Sequence, residues 1–189
     1  MNQVLDAIKN RRSVRAYKPE PIPRDVLSTI IEAGNQAPSG GNLQPWRFVV
    51  VKDSELKRKL RQATLPTWKK VVEGWKDKRP ESYRRIMKRY REMEEPKDPV
   101  YFNAPTILFV IGISRNDCPV VCQNIMLAAH SLGIGSCWVG FGAQVTDDAE
   151  VVKALELKNG ERIFGPILLG YPEDHPDPPK KKDPVIKWI

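Results

Sequence analysis

Histidine and cysteine are scarce in this chain: of 189 residues only His130 and His175 are histidines, and only Cys118, Cys122 and Cys137 are cysteines. That scarcity removes several chemistries at once. Three thiols are an odd number and too few for a disulfide scaffold, which fits a reducing compartment. Cys118 and Cys122 stand four apart on one helix face, with His130 two turns on and Cys137 beyond. Three thiols and an imidazole could ligate zinc in principle. C-x-x-C is absent, however, and Val, Ile, Leu and Ala surround these residues, so they read as small core residues and no metal is expected. G-x-S-x-G is missing, one histidine sits in an apolar helix and the other in a proline-rich tail, which argues against a hydrolase. No phosphate loop of the form G-x-x-x-x-G-K-[ST] occurs. GIGSCWVGFG lacks the third glycine of a dinucleotide fingerprint and follows a helix rather than a strand. No run of about 18 apolar residues is present, so no membrane span is expected. MNQVLDAIKNRRS carries Asp6 and puts its basic residues after the apolar patch, unlike a signal peptide, and a cytoplasmic location is the expectation.

What is there is ordinary in amount: with 41% hydrophobic and 29% charged residues the chain can fill the core of one domain spanning 1–189. The charge is unevenly spread. Of the net +8, all lies in residues 52–97, which hold 16 basic and 8 acidic residues, while the remainder is neutral. Such a segment could attract nucleic acid, acidic lipid or anionic small molecules. Interspersed lysines and glutamates suit a solvated helical face instead. Trp68, Val71, Val72 and Trp75 share one helical face, as do Tyr83, Ile86, Met87, Tyr90 and Met93. Those stripes predict packing rather than base stacking, so nucleic acid is not the expected partner.

Along the chain, Val4, Leu5 and Ile8 predict a short first helix. Pro23 opens a second one, RDVLSTIIEAG, that stops at Gly34. A buried strand is expected at Trp46–Val51, with Trp46 as a core anchor, and then a helix capped by Asp53 or Ser54 that runs to about Gln62. Residues 65–99 read as one or two amphipathic helices broken at Pro66, Pro80 and Pro96, forming a lid or insertion. APTILFVIGI predicts a second buried strand. Pro119 to Gly133 frames a helix apolar on nearly all sides, hence central. Strand or loop follows at SCWVGFG, then a helix started by Thr146, and a last strand in RIFGPILLGYP. The tail, about 172–189, is too proline-rich to fold alone and is expected to lie extended along another surface. The pattern is mixed α/β or α+β.

No acid, base or nucleophile of the protein's own emerges, which directs attention to a bound organic cofactor as the reactive centre. Three separated segments suit an anionic, flat, polar-rimmed ligand. RRSVR offers Arg11, Arg12, Ser13 and Arg15, and in an extended stretch Arg11, Ser13 and Arg15 point to one side. PSGGNLQPW offers Ser39, Asn42 and Gln44 on a glycine-relaxed backbone. Lys180 and Lys182 repeat the alternate spacing in the tail.

RRSVRAYKPEPIP, followed by IIEAGNQAPSGGNLQPWRFVVVKD, resembles the nitroreductase family of FMN-dependent oxidoreductases. APTILFVIG, CQNIMLAAHSLGIGSCWVG and ILLGYP with a Pro/Lys tail fall in the same order, so the resemblance covers nearly the whole chain except about 65–99. It implies an α+β fold, a mixed central sheet flanked by helices, and an intertwined homodimer with FMN at its interface. Carried over, Arg11, Arg12 and Ser13 hold the phosphate, ribityl chain or ring edge, and Arg15 lies by the N1/O2 side of the ring. Pro38, Ser39, Asn42 and Gln44 come from the other subunit. Cys137, Trp138, Val139 and Gly140 form a wall near the ring, with a backbone N–H reaching flavin N5. Lys180 and Lys182 complete the phosphate site, although KKKDP leaves the choice among them and Lys181 open. The implied activity is ping-pong hydride transfer from NADH or NADPH to a nitroaromatic, quinone or enone. The alternatives are reductive dehalogenation of iodotyrosine, flavin fragmentation to a cobalamin precursor, or a protein that senses or stores FMN without turnover. Glu81 and Tyr83 do not match the dehalogenase substrate clamp in spacing.

Overall fold

An unbroken apolar run at Thr106–Gly112 makes β2, every residue of which is buried. Strand β1, Trp46–Val51, pairs antiparallel with it, Trp46 opposite Gly112 and Val51 opposite Ile107. The structure, a computed structural model, describes residues 2–189. Short strands β3 (Gly135–Trp138), β4 (Arg162–Ile163) and β5 (Ile167–Gly170) complete a sheet of order β1-β2-β5-β3, with β4 alongside β2. All of these ladders are antiparallel; the mixed character expected of the sheet is confined to one parallel bridge, Ser13 to Ser136. RIFGPILLGYP is thus two strands, interrupted at Gly165–Pro166. β1 is an edge strand and mostly half-buried rather than buried. Trp46 accordingly is no full core anchor: its indole N–H donates to Asn35 Oδ1 at 2.9 Å.

Seven helices, α1 (Gln3–Asn10), α2 (Arg24–Asn35), α3 (Ser54–Glu73), α4 (Trp75–Lys78), α5 (Pro80–Glu92), α6 (Asp117–Ser131) and α7 (Ala149–Ala154), surround the sheet among the described residues. The period-two alternation of β2 sorts them onto two faces. Leu108 and Val110 face a layer built from α2 and α6, with Leu27, Ile30, Val121, Cys122 and Ile125. Ile107, Phe109 and Ile111 face α3 and α7, with Leu60, Trp68, Val72 and Val151. As the all-round apolar pattern predicts, α6 is central, and all three cysteines are buried and free.

Pro66 does not break the lid. α3 continues through it to Glu73, capped at its start by Asp53, whose carboxylate accepts from Leu56 N at 2.7 Å. A proline in a helix interior costs about 3 kcal/mol. Trp68 and Val72, both buried beyond it, supply an offsetting gain of about 1.5–3 kcal/mol each. Pro80 does what the sequence suggests, sitting at the first turn of α5. Helix α7 is capped by Asp148, which accepts from Glu150 N and Val151 N, and not by Thr146. Beyond Pro172 the chain has no regular structure, and Val185, Trp188 and Ile189 are almost wholly exposed. No helix of the described residues is long and apolar enough to cross a membrane.

Candidate functional site

After α1 the chain straightens. Val14 N donates to Ser136 O at 3.0 Å and Lys18 N to Tyr171 O at 2.9 Å, so RRSVRAY runs along the open edge of β3. Extended backbone alternates its side chains. Val14 and Tyr17 turn into the core, the Tyr17 hydroxyl donating to Val14 O at 2.6 Å. Arg11, Ser13 and Arg15 bear instead on the ionisation of the buried Cys137 thiol. Burial pushes that thiol up, and Arg15, a hydrogen bond with Ser13, Arg11 and Arg89 pull against it. Arg12 points elsewhere: its Nη1 donates to Lys9 O at 2.8 Å and Arg11 O at 2.9 Å, and it lines a separate cleft of about 390 Å³ with His130, Ser136 and His175.

Two buried polar atoms here have no partner, Arg11 Nη1 and Ser136 Oγ. An unmet buried donor costs roughly 1–3 kcal/mol, more when charged. A site that keeps a guanidinium N–H and a hydroxyl in that state fits an anionic, acceptor-rich ligand such as a phosphate ester.

PSGGNLQPW forms a self-braced exposed loop. Gly41, Asn42 and Gln44 have φ of 57°, 56° and 47°, the left-handed region in which only glycine is at ease. Ser39 Oγ accepts from Gln44 N at 3.0 Å, and the Gln44 amide donates to Asn42 O and Oδ1 at 3.2 and 3.3 Å. Pro38 is exposed beside them. Among the described residues no hydrogen bond joins this loop to Arg11–Arg15 within one chain. The remaining expected wall is backbone. Cys137 is wholly buried, Trp138 is 37% exposed, Val139 N donates to Pro166 O at 3.1 Å, and Gly140 opens onto free space. Lys180, Lys181 and Lys182 are exposed in the tail and are not brought to Arg11.

Sequence patterns gave no sign of a third group. A cavity of about 390 Å³ lies between Arg15 and the lid, lined by Trp68, Trp75, Arg85, Arg89, Phe102 and Phe141 among others. Arg89 and Arg15 both approach the Phe102 ring, at 4.8 and 5.8 Å from its centre. Burial, then Arg15, lowers the Arg89 pKa. The lid arginines border the apolar stripe of α5; both are exposed, and only the tertiary fold brings them to the lining of this cavity.

A model of the nitroreductase family matches residues 8–171. The chain belongs to the nitroreductase family. That membership makes it an oxidoreductase by class. A nitroreductase of Desulfitobacterium hafniense with bound FMN superimposes with a TM-score of 0.80 at 30% identity, over 100% of this chain and 99% of that one. A provisional NADH dehydrogenase/NAD(P)H nitroreductase of Archaeoglobus fulgidus is 31% identical over 94% of this chain and 90% of its own length. An iodotyrosine deiodinase of Thermotoga neapolitana is 29% identical over 98% of this nitroreductase and 97% of the relative. The α+β architecture expected from the sequence is the one shared with the Desulfitobacterium structure.

Proposed function

We propose that this nitroreductase binds FMN and uses NAD(P)H to reduce electron-poor acceptors. The reading rests on Arg11 Nη1 and Ser136 Oγ, buried and unpaired where RRSVR bridges to β3 through Ser13 and Ser136; the FMN bound to the Desulfitobacterium relative supports it. When bound, FMN supplies the redox chemistry, accepting hydride from NADH or NADPH and delivering it to a nitroaromatic, quinone or enone in a second half-reaction.

The chain's own residues bind, orient and polarise. Arg11 and Ser13 offer donors to the phosphate and ribityl oxygens, and Arg12 adds charge from behind. Arg15 sets positive charge where the ring gains electrons, which favours the reduced form. Cys137, Trp138, Val139 and Gly140 wall the ring with backbone, and exposed Gly140 can offer its N–H. Pro38, Ser39, Asn42 and Gln44 reach the ring of a second copy in a homodimer, since within one chain they stand apart from the arginines. Lys180 and Lys182, exposed in the tail of one chain, are assigned to the phosphate held by a second copy.

The deciding experiment is to incubate the purified protein with excess FMN, remove free flavin, and titrate it anaerobically with NADH and NADPH. A yellow dimeric protein that bleaches with either nucleotide supports the reading. Colourless monomer overturns it.

The Thermotoga relative favours a second reading, reductive deiodination. Against it, Tyr83 does not match the clamp in spacing, and its hydroxyl is engaged within the lid, donating to Glu73 Oε2 at 3.1 Å. Iodide release from 3-iodotyrosine by the dithionite-reduced protein would establish that activity, and none released would remove it.

A further inference from the structure

We infer that the cavity between Arg15 and the lid is an acceptor subsite for aromatic anions, with Arg85 and Arg89 receiving a carboxylate and the aromatic walls receiving its ring. The inference rests on the proposed flavin reading, because Arg15 is shared by both.

Three observations carry it. First, the lining holds three guanidiniums, Arg15, Arg85 and Arg89, and no carboxylate. Among the described residues none of the three forms an ion pair with an acid. A surface arginine ordinarily finds a counter-charge or open water. Here the three stand exposed at the cavity, and Arg15 and Arg89 both approach the Phe102 ring, at 5.8 and 4.8 Å from its centre. Three like charges lining one cavity favour an anion that settles among them.

Second, the other walls are flat and apolar. Trp68 and Tyr90 lie ring to ring at 5.0 Å, with Trp75, Phe102 and Phe141 around them. Such surfaces take an aromatic ring by offset or edge-on packing. Third, a volume of about 390 Å³ suits one or two rings. It is too small for a whole dinucleotide.

The same lining disfavours an amino-acid zwitterion, whose ammonium would find no acid. For a nitro acceptor the chemistry balances simply. One nitro group gains two electrons and one proton as the hydride equivalent of NAD(P)H and takes up one H+ from the buffer, giving nitroso, NAD(P)+ and the water released when the N–O bond breaks.

The test uses the oxidised FMN-loaded protein and two isosteric probes, 4-nitrobenzoate and 4-nitrobenzamide, titrated by calorimetry at low salt. Benzoate should bind at least about ten-fold tighter than the amide, an advantage that salt erodes. In the double variant Arg85→Gln/Arg89→Gln that ratio should fall to within about two-fold, and Arg89→Lys alone should retain part of it. The ratio of kcat/KM for the two probes should follow the same order. Coloured protein that binds both probes alike overturns this inference and leaves the flavin reading standing. So does a double variant that keeps the benzoate preference, including one that instead loses a preference for NADPH over NADH. Protein that takes up no FMN overturns both.

Discussion

At Arg15 the guanidinium donates to Ser13 O at 3.3 Å and otherwise faces the Phe102 ring and Cys137. Replacing it by alanine removes the positive charge from the reducing end of the proposed site without touching the core. Arg15→Ala should bind FMN more weakly and show a more negative flavin potential, measured by anaerobic dye equilibration. An unchanged potential in fully loaded variant would refute the electrostatic role. Gly112 poses a steric question instead. A Cβ there would run into the Pro45 carbonyl oxygen and lie 2.7 Å from Cys118 Sγ. Because Pro45 anchors the end of the PSGGNLQPW loop, Gly112→Ala should lower stability by about 1–3 kcal/mol in a urea melt. Wild-type stability in that variant would show that the loop end can shift freely.

Among the elements, β1 is fastened to the chain segment after α7 by one side chain. Arg47 donates from Nε to Glu161 Oε1 at 2.8 Å, from Nη2 to Oε2 at 2.7 Å, and to the carbonyls of Leu155 and Glu156. The hydrogen bonds from Arg47 hold the Glu161 carboxyl down at about 2. A depressed carboxylate pKa adds stability above its unfolded value, about 4.3, and loses it as pH falls towards the folded value. Glu161→Gln should therefore cost about 1–2 kcal/mol at neutral pH, with the gap to wild type closing between about pH 4.3 and pH 2. Chemical denaturation across that range checks it; a gap constant with pH would mean the pair contributes nothing.

Neither partner of that pair could be paired from sequence, since 114 positions separate them and no periodicity links them. Local patterns did better. β1 begins and ends where the sequence places it, and α6 is central as its all-round apolarity predicts. Pro66 misled because propensity was outweighed by the tertiary burial of Trp68 and Val72. Asp98 was silent for a similar reason: its buried carboxylate accepts from Val100, Tyr101 and Asn103 N–H groups, a loop device with no motif. The cavity arginines were legible as charge but not as a site, because their direction depends on how α5 packs against α3.

For the whole molecule, apolar surface is concentrated at both ends of the chain. Val4, Leu5 and Ile8 are 52–63% exposed on α1, and Val185, Ile186, Trp188 and Ile189 stand out from the tail. Clustered apolar exposure of this kind marks surface awaiting another surface. Together with a PSGGNLQPW loop remote from the arginines, it supports a homodimer in which each copy completes the other's site. Sedimentation equilibrium should show two subunits per particle, and deletion of residues 184–189 should weaken that association; a lone subunit in both forms would refute it.

The bare tryptophan and isoleucine near the C-terminus carry a thermodynamic corollary. Hydrocarbon that stays wet in an isolated chain yields nothing to folding until a neighbour dries it, so heat resistance becomes a property of abundance. Diluting the protein a hundred-fold should pull its melting midpoint down, and concentrating it should raise that midpoint.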